Sequence, residues 1–394
     1  MKNNKRAISL GIEQLLTEKT DILKDLRIGV VCNQSSVNHL LRYSADLLWE
    51  NESADVRAFF GPQHGIRGEV QDNMIETSHC VDRKTGLPVY SLYSETREPT
   101  EEMVKDIDAF VFDIQDVGCR VYTFIYTLAN VMRSASKFNK KVIVCDRPNP
   151  INGINIEGNL LEEEFVSFVG QFPIPLRHGM TVGELGYMYR DLFGINCELE
   201  IVKMEGWSRE LWFDETDAPW VIPSPNMPTV ETSVVFPATV MLEGTMLSEG
   251  RGTTRPFEII GAPYIKSQEF VDYLKGLKLN GVYFRECGFE PTFQKHARVH
   301  CEGVQIHVTD RKEFEPVKTG VAIVKAAFDL YGDMFKWKEP PYEYVFHLLP
   351  FDVIMGTEKI RNGVEKGSGF KEITEGWKAD EDSFSTEREP FLLY

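Results

Sequence analysis

The sequence is short of positive charge. Lys and Arg number 43 against 60 Asp and Glu, giving a formal net charge of −17. Nucleic acid and anionic membranes are bound through a surplus of Lys and Arg, so neither is expected as a partner. An anionic small molecule would need a local arginine cluster to overcome the same field. Cysteine is equally unhelpful: Cys32, Cys80, Cys119, Cys145, Cys197, Cys287 and Cys301 are odd in number, scattered and never spaced as CxxC. That pattern signals neither a zinc site nor a disulfide framework, and no metal or cofactor is expected. No apolar run reaches signal-peptide or transmembrane length, so a cytoplasmic location is the expectation. GxGxxG is missing after the first strand and GxxxxGK[ST] is missing throughout, which removes the main support for dinucleotide and P-loop sites. GxSxG is missing too, and with it an elbow-held serine nucleophile.

What is there reads as an α/β protein of two domains. The chain has 394 residues, 42% hydrophobic and 26% charged, the composition of an ordinary globular protein. Buried-strand patterns at 27–36 (running into a polar loop), 56–60, 87–94, 108–118 and 141–150 alternate with helical patterns, which predicts a Rossmann-like, mostly parallel sheet with helices on both faces. Thr100 is expected to cap a short helix, and Thr181 with Glu184 spells a capping box. The division is expected at 1–255 for the Rossmann-like domain and 256–394 for a smaller α/β domain completing a cleft. The polar stretch after Gly369 is expected to be a loosely held tail.

The stretch Phe59–Glu76 packs Gly65 and Gly68 around His64, Arg67, Glu69 and Asp72 without an apolar period, and it follows a strand. Such loops serve their side chains. Other polar clusters also follow strands: Asn33 to Ser35, Glu95 with Arg97, Asp113 to Arg120, and Asp146 to Asn149. In a parallel sheet these ends share the edge where ligands bind. Asp72, Asp113, Asp116 and Glu249 offer the paired carboxylates that glycoside hydrolysis uses, one protonating the leaving oxygen and one acting as base or nucleophile. Arg67, Arg97, Arg120, Arg251 and Arg255 stand beside glycines or strand ends, and the planar guanidinium fork suits a substrate carboxylate. Tyr90, Tyr93, Tyr122, Tyr126 and Trp220 supply aromatic faces of the kind that stack on sugar rings.

Seven ordered motifs, GPQHGIRGEVQDNMIE, GLPVYSLYSETREPT, FDIQDVGCRVYTFIYT, DRPNPING with IEGNLL, PLRHGMTVGEL, PSPNMPT and EGTMLSEGRGTTRPFEIIGAP, span residues 61 to about 263. Together they resemble the exo-β-N-acetylmuramidase (NamZ-like) family. The resemblance implies a Rossmann-like domain and a smaller one, a cleft between them, and release of N-acetylmuramic acid from the non-reducing end of peptidoglycan fragments in wall recycling. Its lactyl carboxylate is the anion that an arginine cluster would serve. The site then expected has Gln63, His64, Asp72, Asp113 and Asp116 as catalytic residues. Asn33, Arg67, Arg97, Arg120, Tyr122, Asn226, Glu249, Arg251 and Arg255 are expected to bind the saccharide. One departure stands out: many members carry Glu in a PEHG motif where this chain has Gln63. An amide cannot exchange a proton as a carboxyl does. Either Gln63 orients the acetamido group while a neighbouring acid works, or the chain is a non-catalytic muropeptide or amino-sugar binding protein.

Overall fold

The computed structural model describes residues 5–68, 70 and 75–394. Strand β1 (Arg27–Cys32) lies at the centre of a seven-stranded sheet, followed along the chain by β2 (Asp55–Gly61), β3 (Cys80–Val81), β4 (Pro88–Ser91), β5 (Ala109–Asp113) and β6 (Lys141–Cys145). The short antiparallel pair β7 (Glu157–Leu160) and β8 (Pro175–Arg177) stands apart, and β9 (Glu198–Val202) completes the large sheet in the order β3-β4-β2-β1-β5-β6-β9. Every neighbouring pair in it is parallel except β3 with β4.

The strand period of two sorts side chains between the faces. Phe60, Phe110, Phe112, Val142 and Val144 enter one buried cluster, while Phe59, Val111 and Ile143 enter the other. Both faces are covered, which is why these strands read as continuous apolar runs. Helix α1 (Gly11–Thr17) packs on β6 and β9, and α2 (Ser44–Trp49) on β1 and β2. A short α3 (Glu101–Val104) precedes β5; α4 (Phe124–Phe138) and α5 (Val182–Asp191) pack together and against β5, β6 and β9. The capping box at α5 is formed, Thr181 accepting from the Glu184 amide and Glu184 from the Thr181 amide. At α3 the expectation is only half met: Thr100 holds the cap position but its side chain makes no capping hydrogen bond.

The C-terminal part begins with α6 (Val230–Thr239), which packs against the later α8. Strand β10 (Ile259–Ala262), helix α7 (Ser267–Gly276), strands β11 (Val282–Phe289) and β12 (Cys301–Val308) and helix α8 (Pro316–Tyr331) follow, and the strands form an antiparallel sheet in the order β10-β12-β11. Helices α9 (Pro350–Met355), α10 (Lys359–Glu365), α11 (Phe370–Thr374) and α12 (Trp377–Arg388) end the chain.

The stretch after Gly369 corrects the expectation of a loose tail. Trp377, Phe384 and Arg388 are buried. Asp380 and Glu381 accept the Leu160 and Gly158 amides, and Arg388 donates to the carbonyls of Gly153, Ile154, His178 and Gly179. Tyr394 Oη reaches Asp146 Oδ2 at 2.8 Å and accepts from the Met204 amide. Its polar residues hold the α12 segment onto β7 and the end of β6, a use of polarity that composition alone reads as solvation.

Candidate active site

The loop leaving β2 turns sharply at Gln63 and His64. His64 sits at φ 72°, in the left-handed region that non-glycine residues rarely adopt, and Gly65 and Gly68 continue with φ of 83° and 65°. At Gly68 an added Cβ would lie 2.5 Å from the Gln34 side chain, so this loop folds tightly over the end of β1. A second turn of the same kind comes from 280 residues later in the sequence: Glu343 and Tyr344 are consecutive left-handed residues, at φ 43° and 68°. Such conformations persist only where surrounding contacts hold them, and they concentrate at functional sites.

The two turns meet. Gln63 Nε2 faces Glu343 Oε1 at 3.5 Å, and Tyr93 Oη donates to Glu343 Oε2 at 2.8 Å. Thr123, at the start of α4, donates to Gln63 Oε1 at 2.7 Å. That bond fixes the amide, because the hydroxyl and the carboxylate are both served only with oxygen toward Thr123 and nitrogen toward Glu343. Around these groups lies a small pocket, lined further by His64, Tyr122, Asn226, Glu243, Arg251 and Tyr342.

Two carboxyls in this pocket differ in protonation. Burial pushes Glu343 up to about 7, aided by the negative charge of Glu243 and opposed by the hydrogen bonds from Tyr93 and Gln63 and by Arg97. Burial also acts on Glu243, but the charge and hydrogen bond of Arg251, with a hydrogen bond from Tyr342, hold its carboxyl below the usual range. One pocket therefore presents a carboxyl half-protonated near neutrality beside one that stays ionised, the division of labour that acid–base chemistry needs. His64 Nδ1 donates to the Val70 carbonyl at 2.8 Å. Among the described residues no group of three or more His, Cys, Asp or Glu side chains is placed to hold a metal ion.

Two family models match the chain in succession: exo-β-N-acetylmuramidase NamZ, N-terminal, over residues 28–231, and exo-β-N-acetylmuramidase NamZ, C-terminal, over residues 234–394. The chain belongs to the NamZ family. It is 47% identical over 390 residues to the peptidoglycan β-N-acetylmuramidase NamZ of Bacillus subtilis, covering 99% of this chain and 92% of the relative. Two crystal structures of DUF1343 family proteins from Bacteroides fragilis also match. One is 35% identical with a TM-score of 0.89 and the other 28% identical with a TM-score of 0.78, each match covering 98% of this chain and 99% of the other. The pocket draws on both matched regions, Gln63 to Met227 from the first and Phe236 to Glu343 from the second.

Of the residues expected from sequence, Gln63, His64, Tyr122, Asn226 and Arg251 line this NamZ-family pocket. Asp72 lies outside the described residues. Asp113 and Asp116 do follow β5 as expected, but both turn inward and neither lines the pocket. Asp113 is clamped by Arg147 Nε and Nη2 at 2.5 and 2.8 Å and by Ser44 Oγ. Asp116 accepts the Gly118 amide at 2.7 Å and stands 3.5 Å from buried His178. Asn33 ties the loop after β1 to the Pro223 carbonyl at 3.1 Å. Arg120 is fully buried and donates to the carbonyls of Asn159, Ile174, Ile354 and Met355. Arg67 pairs with Asp82, Arg255 with Glu258, and Glu249 with Lys295 at 2.7 Å, none of them lining the pocket. Arg97 lies over the Tyr93 ring and does not itself line the pocket. Sequence reasoning missed Glu343 and Glu243. A carboxyl between two tyrosines after paired prolines, PPYEY, and an acid inside the apolar run VMLEG were the available signals.

Proposed function

We propose that the chain is an exo-acting glycosidase that releases N-acetylmuramic acid from the non-reducing end of peptidoglycan fragments, with Glu343 as the proton donor. Family membership and the Bacillus subtilis relative support the substrate class. The observation that carries the reading is the pairing of a raised carboxyl, Glu343, with a depressed one, Glu243, in the pocket where Gln63 has no carboxyl to offer.

In this mechanism Glu343 gives its proton to the glycosidic oxygen as the bond to the anomeric carbon breaks. Glu243, ionised, faces the positive charge that develops on the sugar ring, and a water molecule then bonds to the anomeric carbon and gives its proton to the deprotonated Glu343. Gln63 orients Glu343 through its amide nitrogen while Thr123 holds the other end of the amide. Tyr122, Asn226 and Arg251 serve the bound sugar, and His64 shapes the wall beside Gln63. The domain division near residue 255 remains part of the same proposal.

Incubation with N-acetylmuramic acid linked β-1,4 to N-acetylglucosamine, followed by mass spectrometry, tests the reading. Free N-acetylmuramic acid from the native chain supports it. Saturable binding of the disaccharide with no cleavage contradicts it and favours the non-catalytic binding protein that Gln63 by itself suggests.

A further inference from the structure

We propose that Arg97 is the specificity residue of this site, taking a carboxylate of the substrate at the rim of the pocket. The proposal rests on the glycosidase reading and adds the chemical group that the site selects. Its first support is elimination among the five arginines singled out by sequence. Arg67 is paired with Asp82, Arg251 with Glu243 and Glu249, and Arg255 with Glu258, while Arg120 is spent on four carbonyls. Among the described residues Arg97 makes no ion pair, and its protein hydrogen bond is from Nη1 to the Ser94 carbonyl. In a chain with 60 acidic residues against 43 basic ones, an arginine beside the site without a carboxylate partner has that capacity left over.

Geometry supplies the second support. The Arg97 Cζ atom lies 4.1 Å from the Tyr93 ring centre, 4.7 Å from that of Tyr344 and 5.5 Å from that of Phe168. Tyr93 is hydrogen-bonded to the lining residue Glu343, Tyr344 and Phe168 are chain neighbours of the lining residues Glu343 and Val169, and the Arg97 charge acts on the Glu343 carboxyl. The aromatic rings pack around the guanidinium. Its Nε and Nη2 have no protein acceptor among the described residues and are not sealed from solvent. A guanidinium ringed by aromatic groups, with Nε and Nη2 unused along one edge, can give two parallel hydrogen bonds to a carboxylate.

N-acetylmuramic acid differs from N-acetylglucosamine by its lactyl ether, which ends in a carboxylate; a peptide stem on the substrate carries carboxylates as well. Both sources present the same chemistry to Arg97.

Calorimetric titration and steady-state kinetics on the native chain, Arg97→Ala and Arg97→Lys test the assignment. The ligands are N-acetylmuramic acid, its lactyl amide, N-acetylglucosamine and a muramyl dipeptide, and the substrates are the nitrophenyl β-glycosides of the two sugars. The expected result is at least a tenfold loss of affinity and of kcat/KM for carboxylate-bearing compounds in Arg97→Ala. The uncharged amide and N-acetylglucosamine change little, and Arg97→Lys recovers the loss only in part. Loss confined to free N-acetylmuramic acid assigns the lactyl carboxylate, and loss confined to the dipeptide assigns the stem; either supports the proposal. Equal losses for charged and uncharged ligands would make Arg97 a packing element for Tyr93 and Tyr344 and overturn it, as would no loss at all. Charge-selective binding by a native chain that cleaves neither glycoside would sink the glycosidase reading while leaving Arg97 assigned.

Discussion

Tyr93 and Glu343 stand 250 residues apart in the chain and share a hydrogen bond of 2.8 Å, buried at the wall of the pocket. A hydroxyl donating to a carboxylate favours its ionised form, so Tyr93 works against the burial that raises Glu343. Removing the hydroxyl shifts that balance in a known direction. In Tyr93→Phe the alkaline limb of the pH–rate profile, expected near pH 7 in the native chain, moves to higher pH, because Glu343 keeps its proton longer. A profile that does not move would detach Glu343 from the rate.

Glu243 acts on the same carboxyl with the opposite sign. Its charge raises Glu343, so neutralising it in Glu243→Gln lowers the alkaline limb. The same change leaves Arg251, which is buried, without its hydrogen-bonded partner, and breaking a buried pair from one side costs roughly 3–5 kcal/mol. Urea unfolding monitored alongside activity separates the two effects, and an unchanged midpoint would contradict the buried pair.

Gln63→Glu places a second carboxyl at the position now 3.5 Å from Glu343. Two such groups cannot both ionise easily, so they hold a shared proton to higher pH and titrate as a pair. The expected variant is active with its alkaline limb raised. Activity confined to the variant would show that the native chain has lost the chemistry.

Much of the fold was legible because its cause is local. The apolar strands of the parallel sheet and the Thr181 capping box are written in consecutive residues. At the site, locality fails in two ways. Asp113 and Arg147 follow neighbouring strands as expected, yet their meeting neutralises both, and only the packed structure shows that strand-end charges consume one another. Glu343 reaches the Gln63 turn from the far end of the sequence, held by left-handed backbone at a non-glycine residue, a conformation no propensity announces.

Phe384 and Tyr394 give the misread C-terminal stretch a direct test. Phe384 is almost wholly buried, and truncating a core phenylalanine to alanine costs roughly 3–5 kcal/mol. Tyr394→Phe removes the hydrogen bonds to Asp146 and from Met204, a loss of about 1–3 kcal/mol. Calorimetric scans that leave Tm unchanged in both variants would restore the loose tail.

Buried Glu157 makes stability depend on pH. Burial pushes its carboxyl up to about 8, against the amide of Lys318 and the charge of Arg177. The folded value exceeds the unfolded one, so the folded state loses stability as pH rises from about 4.5 through 8, on the order of 5 kcal/mol from this group. Unfolding free energy should fall more steeply between pH 5 and pH 8 in the native chain than in Glu157→Gln; parallel curves would remove Glu157 from the pH dependence.

The most direct test of Glu343 as proton donor compares the native chain with Glu343→Gln on the p-nitrophenyl β-glycoside and on the natural disaccharide of N-acetylmuramic acid. Nitrophenolate leaves with little help from an acid, whereas a sugar hydroxyl needs the proton. The account predicts that the variant binds N-acetylmuramic acid like the native chain, loses roughly 10²–10⁴ of its kcat on the disaccharide, and loses less on the nitrophenyl compound. Equal rates for the two proteins on the disaccharide would contradict it.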